Sequence, residues 1–212
     1  DAKIFYALDE NEFQRYNKPF TITKDTRVKL YSGKGDLKSP VLDNQNIVYE
    51  SKLPYPIIFI HGLNSSSETW NTTSNYLDSQ YGYVFGGRFD FCLSADGNHG
   101  LANKNFYPTS GADIAAFETT TIQNGDYYYV NFDVNINGSI GTSVYSNQSA
   151  VTKQGVAVKK AVERVLALTG KDKVILVGHS MGGLASREYI QNSYNWQADG
   201  QHHVAKFLTL GT

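Results

Sequence analysis

The chain has 212 residues, a formal net charge of −1, 41% hydrophobic residues and 13% aromatic residues. This length suits one domain of ordinary size plus a small accessory domain. Because no block of basic residues occurs, the charge pattern argues against a nucleic-acid partner and against binding to an anionic membrane surface. The sequence also lacks the run of about 18 apolar residues that a transmembrane segment needs. Its single cysteine, Cys92, excludes an intramolecular disulfide.

Residues 1–46 are expected to form a small β-rich accessory module. Strand-like stretches at 4–6, 20–22 and 27–31 alternate with turn-forming residues. The segment 17–26, which reads Asn-Lys-Pro-Phe-Thr-Ile-Thr-Lys-Asp-Thr, resembles small β-sandwich modules that are appended to glycosidases, the chitobiase C-terminal type. That resemblance implies a binding or anchoring module, while the alternative is a domain that serves only for packing.

Residues 47–212 show the alternation of strands and helices that is typical of an α/β domain. Two uninterrupted apolar runs predict strands that are buried on both faces, as in a parallel sheet. In chain order we expect a strand at 57–60, a helix at 68–80 capped among Ser65 to Ser67, a strand at 126–132, a helix at 149–169 ending at Gly170, a strand at 174–177, a helix at 184–192 and a strand at 204–210. The expected fold is a mostly parallel sheet with helices on both faces, a partial α/β-hydrolase fold.

A long segment rich in Gly and Asn, residues 81–125, separates the first helix from the next strand. Connections of this length are usually functional or carry structure of their own. We expect an insertion that either walls an acyl pocket or acts as a lid. A surface excursion with its own small core is the alternative.

The segment after the 126–132 strand matches the first half of an EF-hand loop. Asp133, Asn135 and Asn137 supply oxygen ligands at alternating positions, and Gly138 stands at the bend. The twelfth position, which should be Glu, is Val144. Because the bidentate carboxylate is the strongest ligand of such a loop, we interpret the segment as an Asn/Gly turn and predict no metal site.

The most informative motif is Gly178-His179-Ser180-Met181-Gly182, which stands between an apolar strand and a helix. In this context G-x-S-x-G forms the sharp turn that exposes a nucleophilic serine above the sheet. A serine hydroxyl needs a base to take its proton and donors to hold the oxyanion. We therefore predict Ser180 as the nucleophile and the backbone N–H of Met181 as one oxyanion donor.

A second motif, His61-Gly62-Leu63, follows the strand at 57–60. In this architecture the loop at this place supplies the other oxyanion N–H, and Leu63 is the candidate donor. Gly62 allows the backbone to come close to a substrate. His61 is open to two interpretations, a general base or a structural residue. Its place before the serine, directly at a strand end, favours the structural role.

Four stretches are informative through their order along the chain. They are residues 56–63, Gln154-Gly155 at the start of a helix, residues 173–184 and residues 207–212. Together they resemble the lipase/esterase branch of the α/β-hydrolase superfamily, near the bacterial triacylglycerol lipases. The resemblance covers about residues 50–212. It implies acyl-ester chemistry at the serine, an ester or lipid substrate, no cofactor, and a secreted protein. It also implies the oxyanion donors named above, Leu63 and Met181.

The same resemblance implies a triad acid and a triad histidine, for which this chain has no well-placed candidates. In the superfamily the triad acid and then the histidine follow the serine along the chain. After Ser180 the suitable side chains are Asp199, His202 and His203, which we expect as solvated loop residues at the end of the sheet opposite the nucleophile. We therefore expect 47–212 to be the N-terminal portion of a hydrolase domain. The acid and histidine are expected beyond residue 212 or on a separate chain that carries the remainder.

On this hypothesis the isolated 212-residue chain is inactive, and two alternatives stay open. The lack of triad partners also fits a catalytically inactive hydrolase fragment or a binding or scaffold protein. An acyltransferase or thioesterase would use the same nucleophile, because water, alcohol and thiol acceptors share the acyl-enzyme step.

Overall fold

The computed structural model of the protein describes residues 2–20, 22, 25–47, 50–94, 114–141 and 144–212. By the proximity of its Cα atoms the chain divides into two units, residues 1–50 and residues 51–212. Each unit contains its own sheet. Within the described ranges, no helix is both long enough and apolar enough to cross a membrane.

The first unit is an antiparallel sheet. Its strands are β1 (Lys3–Leu8), β2 (Gln14–Arg15), β3 (Thr26–Lys34), β4 (Leu37–Lys38) and β5 (Leu42–Ile47). Strand β1 pairs with β2 and β3, and β3 also pairs with β4 and β5. The prediction of a strand at 20–22 is wrong, because Phe20 and Ile22 lie outside the strands. Phe20 instead stacks its ring on that of Tyr6, with centroids 4.5 Å apart.

The second unit alternates strands and helices. Its strands are β6 (Ile57–Ile60), β7 (Phe85–Cys92), β8 (Ala115–Phe117), β9 (Tyr127–Asn131), β10 (Val174–His179) and β11 (Val204–Leu210). Its α-helices are α1 (Asn71–Tyr76), α2 (Val144–Asn147), α3 (Val151–Thr169) and α4 (Met181–Gln191). The sheet order is β11–β10–β6–β9–β7–β8. Neighbouring strands are parallel except for β7 and β8, which confirms the predicted mostly parallel α/β fold.

Alternate side chains of β6 divide between two cores, one on each face of the sheet. Ile58 and Ile60 pack into the larger core with buried residues of α3 and α4. Phe59 packs with Trp70 and Val177 in a smaller core near α1. Because successive side chains of a strand point to opposite faces, an all-apolar strand such as β6 needs cover on both. Helices on both faces, as predicted, supply that cover.

The segment 81–125 differs from the insertion that its Gly and Asn content predicted. Its first part forms β7, which pairs with β9 on one side and with β8 on the other. Gly86 makes room for an aromatic ring, because a Cβ at this position would collide with the side chain of Tyr128. Residues 95–113 of the predicted lid or pocket wall lie outside the described residues.

The helix predicted at 68–80 is a composite of three helical types. A 3-10 turn at Ser67–Trp70 leads into α1, and a π-helical turn at Leu77–Tyr81 follows it. The hydroxyl of Ser66 accepts a hydrogen bond from the Glu68 N–H and so caps the start of the helix, as predicted.

Candidate active site

Ser180 occupies a strained turn at the carboxyl end of β10. Its backbone angles are φ 48° and ψ −120°, a combination that a residue with a Cβ adopts only when its surroundings impose it. Two backbone hydrogen bonds of 2.9 Å hold the turn. The Ser180 N–H donates to the Leu210 carbonyl in β11, and the Gly183 N–H donates to the Ser180 carbonyl. The local geometry is that of a nucleophile elbow.

The two glycines of the motif allow α4 to lie close to the sheet. A Cβ on Gly178 would stand 2.5 Å from the Gly183 amide nitrogen. A Cβ on Gly182 would stand 2.6 Å from the His61 carbonyl oxygen, and closer still to that of Ile60. Since both obstacles are backbone atoms that cannot turn aside, any side chain here would displace the helix that begins beside the serine.

A cleft of about 380 Å³ brings together the three predicted site residues, Leu63, Ser180 and Met181. The other lining residues are Gln148, Ser149, Val151, Gln154, Leu184, Gly211 and Thr212. The Met181 N–H stands in the first turn of α4, where a helix leaves its amides without internal partners. Neither this N–H nor that of Leu63 is bonded to another described residue. The cleft is therefore lined by a serine and by two residues whose backbone N–H groups have no partner among the described residues.

His61 is completely buried and both of its ring nitrogens are engaged by backbone groups. Nδ1 donates to the Gly62 carbonyl oxygen (2.8 Å), and Nε2 accepts from the Phe132 N–H (2.9 Å). Burial lowers the pKa of His61 to about 4, although the bond to Gly62 opposes this change. A neutral imidazole with no free nitrogen is unsuited to take a proton from the serine, so the geometry favours the structural role.

One polar residue that lines the cleft, Gln154, carried part of the resemblance but had no predicted role. Gln154 is buried in α3. Its Nε2 donates to the Ser149 carbonyl oxygen (2.9 Å) and lies 3.2 Å from the sulfur of Met181. The sequence could have indicated this role. Gln154 precedes Val158 by four residues and so lies on the buried stripe of the helix, where a polar side chain needs a hydrogen-bond partner.

A protein-family model agrees with this architecture. Residues 54–212 match a family model described as the PGAP1-like alpha/beta domain. The chain belongs to this family. The family is α/β-hydrolase-like, whereas the nearer resemblance to triacylglycerol lipases and the β-sandwich resemblance of residues 1–46 stay predictions. No curated protein matches the chain.

Among solved structures, the PGAP1-like chain is similar to the product of the gene lin2722 from Listeria innocua. The two share 19% sequence identity with a TM-score of 0.46. The match covers 74% of this chain and 51% of the Listeria protein, so the chain spans about half the length of that structure.

In this PGAP1-like domain, Asp199, His202 and His203 lie away from Ser180. They precede β11, whereas Ser180 follows β10, and the two strands run parallel. As expected, Asp199 and His203 are exposed or partly exposed loop residues, and they are also hydrogen-bonded to each other. His203 Nε2 lies 2.7 Å from the Asp199 carboxylate, and its Nδ1 donates to the Asp172 carbonyl oxygen (2.5 Å).

The segment that resembles an EF-hand forms a turn closed by its own side chains. Asn135 Nδ2 donates to the Ser139 hydroxyl (3.0 Å) and to the Gly141 carbonyl oxygen (3.2 Å). Asn137 Oδ1 accepts from the Ser139 N–H (3.1 Å). These amides stabilise the turn itself. In the part of the chain that the structure describes, no three His, Cys, Asp or Glu residues group as metal ligands would.

Proposed function

We propose that the protein is a serine carboxylic-ester hydrolase of the lipase or esterase type, with Ser180 as its nucleophile. The observation that carries the proposal is the strained conformation of Ser180 in a cleft that Leu63 and Met181 also line, with backbone N–H groups that have no partner among the described residues. Strain of this kind clusters at functional sites, and two unpaired backbone donors beside a serine suit acyl transfer.

The proposed reaction proceeds through an acyl-enzyme. The Ser180 oxygen attacks the ester carbonyl carbon while a base takes the hydroxyl proton, and the carbonyl oxygen becomes an oxyanion held by the N–H groups of Leu63 and Met181. Collapse of the tetrahedral intermediate breaks the bond to the alcohol, which leaves with the proton. Water then attacks the acyl-enzyme in the same way and releases the carboxylic acid.

The walls of the cleft support an ester with an apolar acyl group. Leu63, Val151, Met181 and Leu184 line it together with Ser180. Leu63 and Leu184 are about half exposed, at 50% and 47%. Contact with an apolar chain would remove this surface from water, which is favourable by about 25 cal/mol per Å².

The base and its orienting acid are proposed to lie outside residues 1–212 or on another chain. Among the described residues that line the cleft there is neither a histidine nor a carboxylate. This proposal follows the order of the triad in α/β-hydrolases, in which both partners come after the serine. It predicts that residues 1–212 by themselves hydrolyse esters no faster than the Ser180→Ala variant.

Acyl-enzyme formation can be tested on the complete natural protein with p-nitrophenyl acetate. We expect a burst of p-nitrophenol equal to the enzyme concentration and an acetyl group on Ser180 in the intact mass. Ser180→Ala should lose both signals, and Ser193→Ala, at an exposed serine, should keep them. A burst that persists in Ser180→Ala would overturn the proposal.

A further inference from the structure

We infer that Asn147 is a positioning residue that holds the oxyanion loop, here defined as residues 62–66, in the conformation that presents the Leu63 N–H. The inference rests on the proposed function. Asn147 is the last residue of α2, lies 83 positions from Asn64 in sequence, and does not line the cleft that contains Ser180.

The Asn147 carboxamide binds the loop through both of its polar atoms. Its Oδ1 accepts from the Asn64 N–H (3.2 Å), and its Nδ2 donates to the Ser65 carbonyl oxygen (2.6 Å). The side chain is 2% exposed. Since a buried amide that loses its partners leaves unsatisfied groups, these two bonds fix the loop strongly.

The backbone of the loop needs such support. Asn64 has φ 51°, in the left-handed region that a residue with a side chain enters only at a cost. Its own side chain is also held, because Gln148 Nε2 donates to Asn64 Oδ1 (3.0 Å). On the other side of Leu63, His61 holds the Gly62 carbonyl. Leu63 therefore lies between two anchored positions, and its N–H is left free.

Asn147 can act as an anchor because the segment around it is tied to the end of β7. The Ser146 hydroxyl donates to the Phe91 carbonyl oxygen (3.2 Å) and accepts from the Leu93 N–H (2.9 Å). Ser149 donates to the Leu93 carbonyl oxygen (3.3 Å). The Asn147 side chain thus connects the sheet to the oxyanion loop and serves as a supporting contact of the kind that keeps catalytic donors in place.

This role predicts a specific kinetic effect. Asn147 touches neither the serine nor the cleft, so its loss should not weaken substrate binding. It should allow the Leu63 N–H to drift, and a displacement of about 1 Å can cost about 100-fold in rate. We expect Asn147→Ala to lower kcat of the complete natural protein on p-nitrophenyl esters about 10- to 100-fold with KM changed less than about threefold.

The matched control is Asn192→Ala, which removes a carboxamide that likewise bonds through both of its polar atoms, to Glu188 and to the Tyr194 N–H, at the end of α4 away from the oxyanion loop. It should keep kcat within about threefold of the wild type. Asn147→Asp retains an acceptor for the Asn64 N–H but places a buried carboxylate oxygen against the Ser65 carbonyl oxygen, so it should lower kcat as Asn147→Ala does. Melting temperatures of all variants identify any that fail to fold, and Asn147→Asp decides the test if Asn147→Ala does not fold.

The outcomes separate this inference from the proposed function. If the wild type acylates Ser180 and Asn147→Ala retains full kcat, or if Asn192→Ala loses as much kcat as Asn147→Ala, the positioning role is overturned while the nucleophile stands. If the wild type forms no acyl-enzyme at Ser180, the proposed function fails first. A fall in kcat limited to the two Asn147 variants, with KM unchanged, supports the inference.

Discussion

Gly62 lies directly against Ser180. A Cβ built on Gly62 would stand 3.1 Å from the Ser180 Cβ and 2.9 Å from His179 Nδ1. The loop after β6 and the elbow after β10 therefore meet with no room for a side chain between them. This closeness brings the neighbouring Leu63 into the lining of the same cleft as the serine.

Gly62→Ala is expected to reduce catalysis more than stability. Of the atoms that the new methyl group meets, only the His179 imidazole can turn aside, because the Ser180 Cβ and the His179 carbonyl oxygen are fixed by the backbone. Overpacking of this kind costs about 1–3 kcal/mol. The shift separates the oxyanion loop from Ser180, so we expect kcat/KM to fall at least about tenfold. Ester hydrolysis by the complete protein, with thermal unfolding measured in parallel, checks this. Unchanged kcat/KM in a folded variant would contradict the close approach.

Two adjacent glycines of α4 should respond differently to the same substitution. Gly182→Ala drives a methyl group into the carbonyl oxygens of Ile60 and His61, whereas in Gly183→Ala it meets the Thr212 side chain. Both substitutions gain about 1 kcal/mol of helix propensity. We expect Gly182→Ala to lower the free energy of unfolding by at least about 2 kcal/mol and Gly183→Ala to lower it clearly less. Urea denaturation of both variants measures the difference, and equal effects would argue against the close packing of α4 on β6.

His61 should make the protein sensitive to acid. Its pKa is lowered to about 4 in the folded state, against about 6.5 in the unfolded chain. A lowered histidine pKa means that the unfolded state binds the proton more readily, so stability is lost as pH falls from about 6.5 towards 4. The expected loss is roughly 3 kcal/mol over that range. His179→Gln, at an exposed position, should retain this pH dependence, while a folded His61→Gln variant should lack it.

His203, paired with Asp199, should make stability depend on pH in the direction opposite to that of His61. The hydrogen bond to the Asp172 carbonyl and then the Asp199 carboxylate raise the pKa of His203, and the bond from His203 lowers the pKa of Asp199. The raised histidine pKa stabilises the fold fully below about pH 6.5, and the effect disappears as pH rises through the folded-state pKa. The lowered carboxyl pKa contributes above about pH 4.

A double-mutant cycle with Asp199→Asn and His203→Gln measures this pair. We expect a favourable coupling free energy at pH 5.5 that shrinks by pH 8.5, with a small value at both because the Asp199 side chain is about half exposed to water. Coupling that grows with pH would contradict the ion pair.

The sequence could predict the elements whose signals are local. The apolar runs of β6 and β10 are strands buried on both faces, and the apolar stripe of α3 ends at a glycine with φ 65°. Strand β7 was not predicted because its glycines looked like those of a loop. Gly86 is in fact required by the ring of Tyr128 on another strand, which leaves no room for a side chain. A strand whose packing partner is distant cannot be recognised from its own spacing.

The residues of the candidate site also differ in whether the sequence alone can predict them. The G-x-S-x-G motif and the loop after β6 are contiguous in sequence, so Ser180, Met181 and Leu63 could be named in advance. Asn147 contacts Asn64 and Ser65 from more than 80 positions away, and no spacing in a single sequence indicates such a pair. The structure was needed to find the groups that hold the loop.

The central claim, that Ser180 is an activated nucleophile, is tested most directly by labelling the complete natural protein with a fluorophosphonate probe and mapping the adduct by peptide mass spectrometry. The account predicts a single adduct on the peptide that contains Ser180, formed in the wild type and absent from Ser180→Ala. Labelling that is unchanged by Ser180→Ala, or an adduct on a different serine, would contradict it.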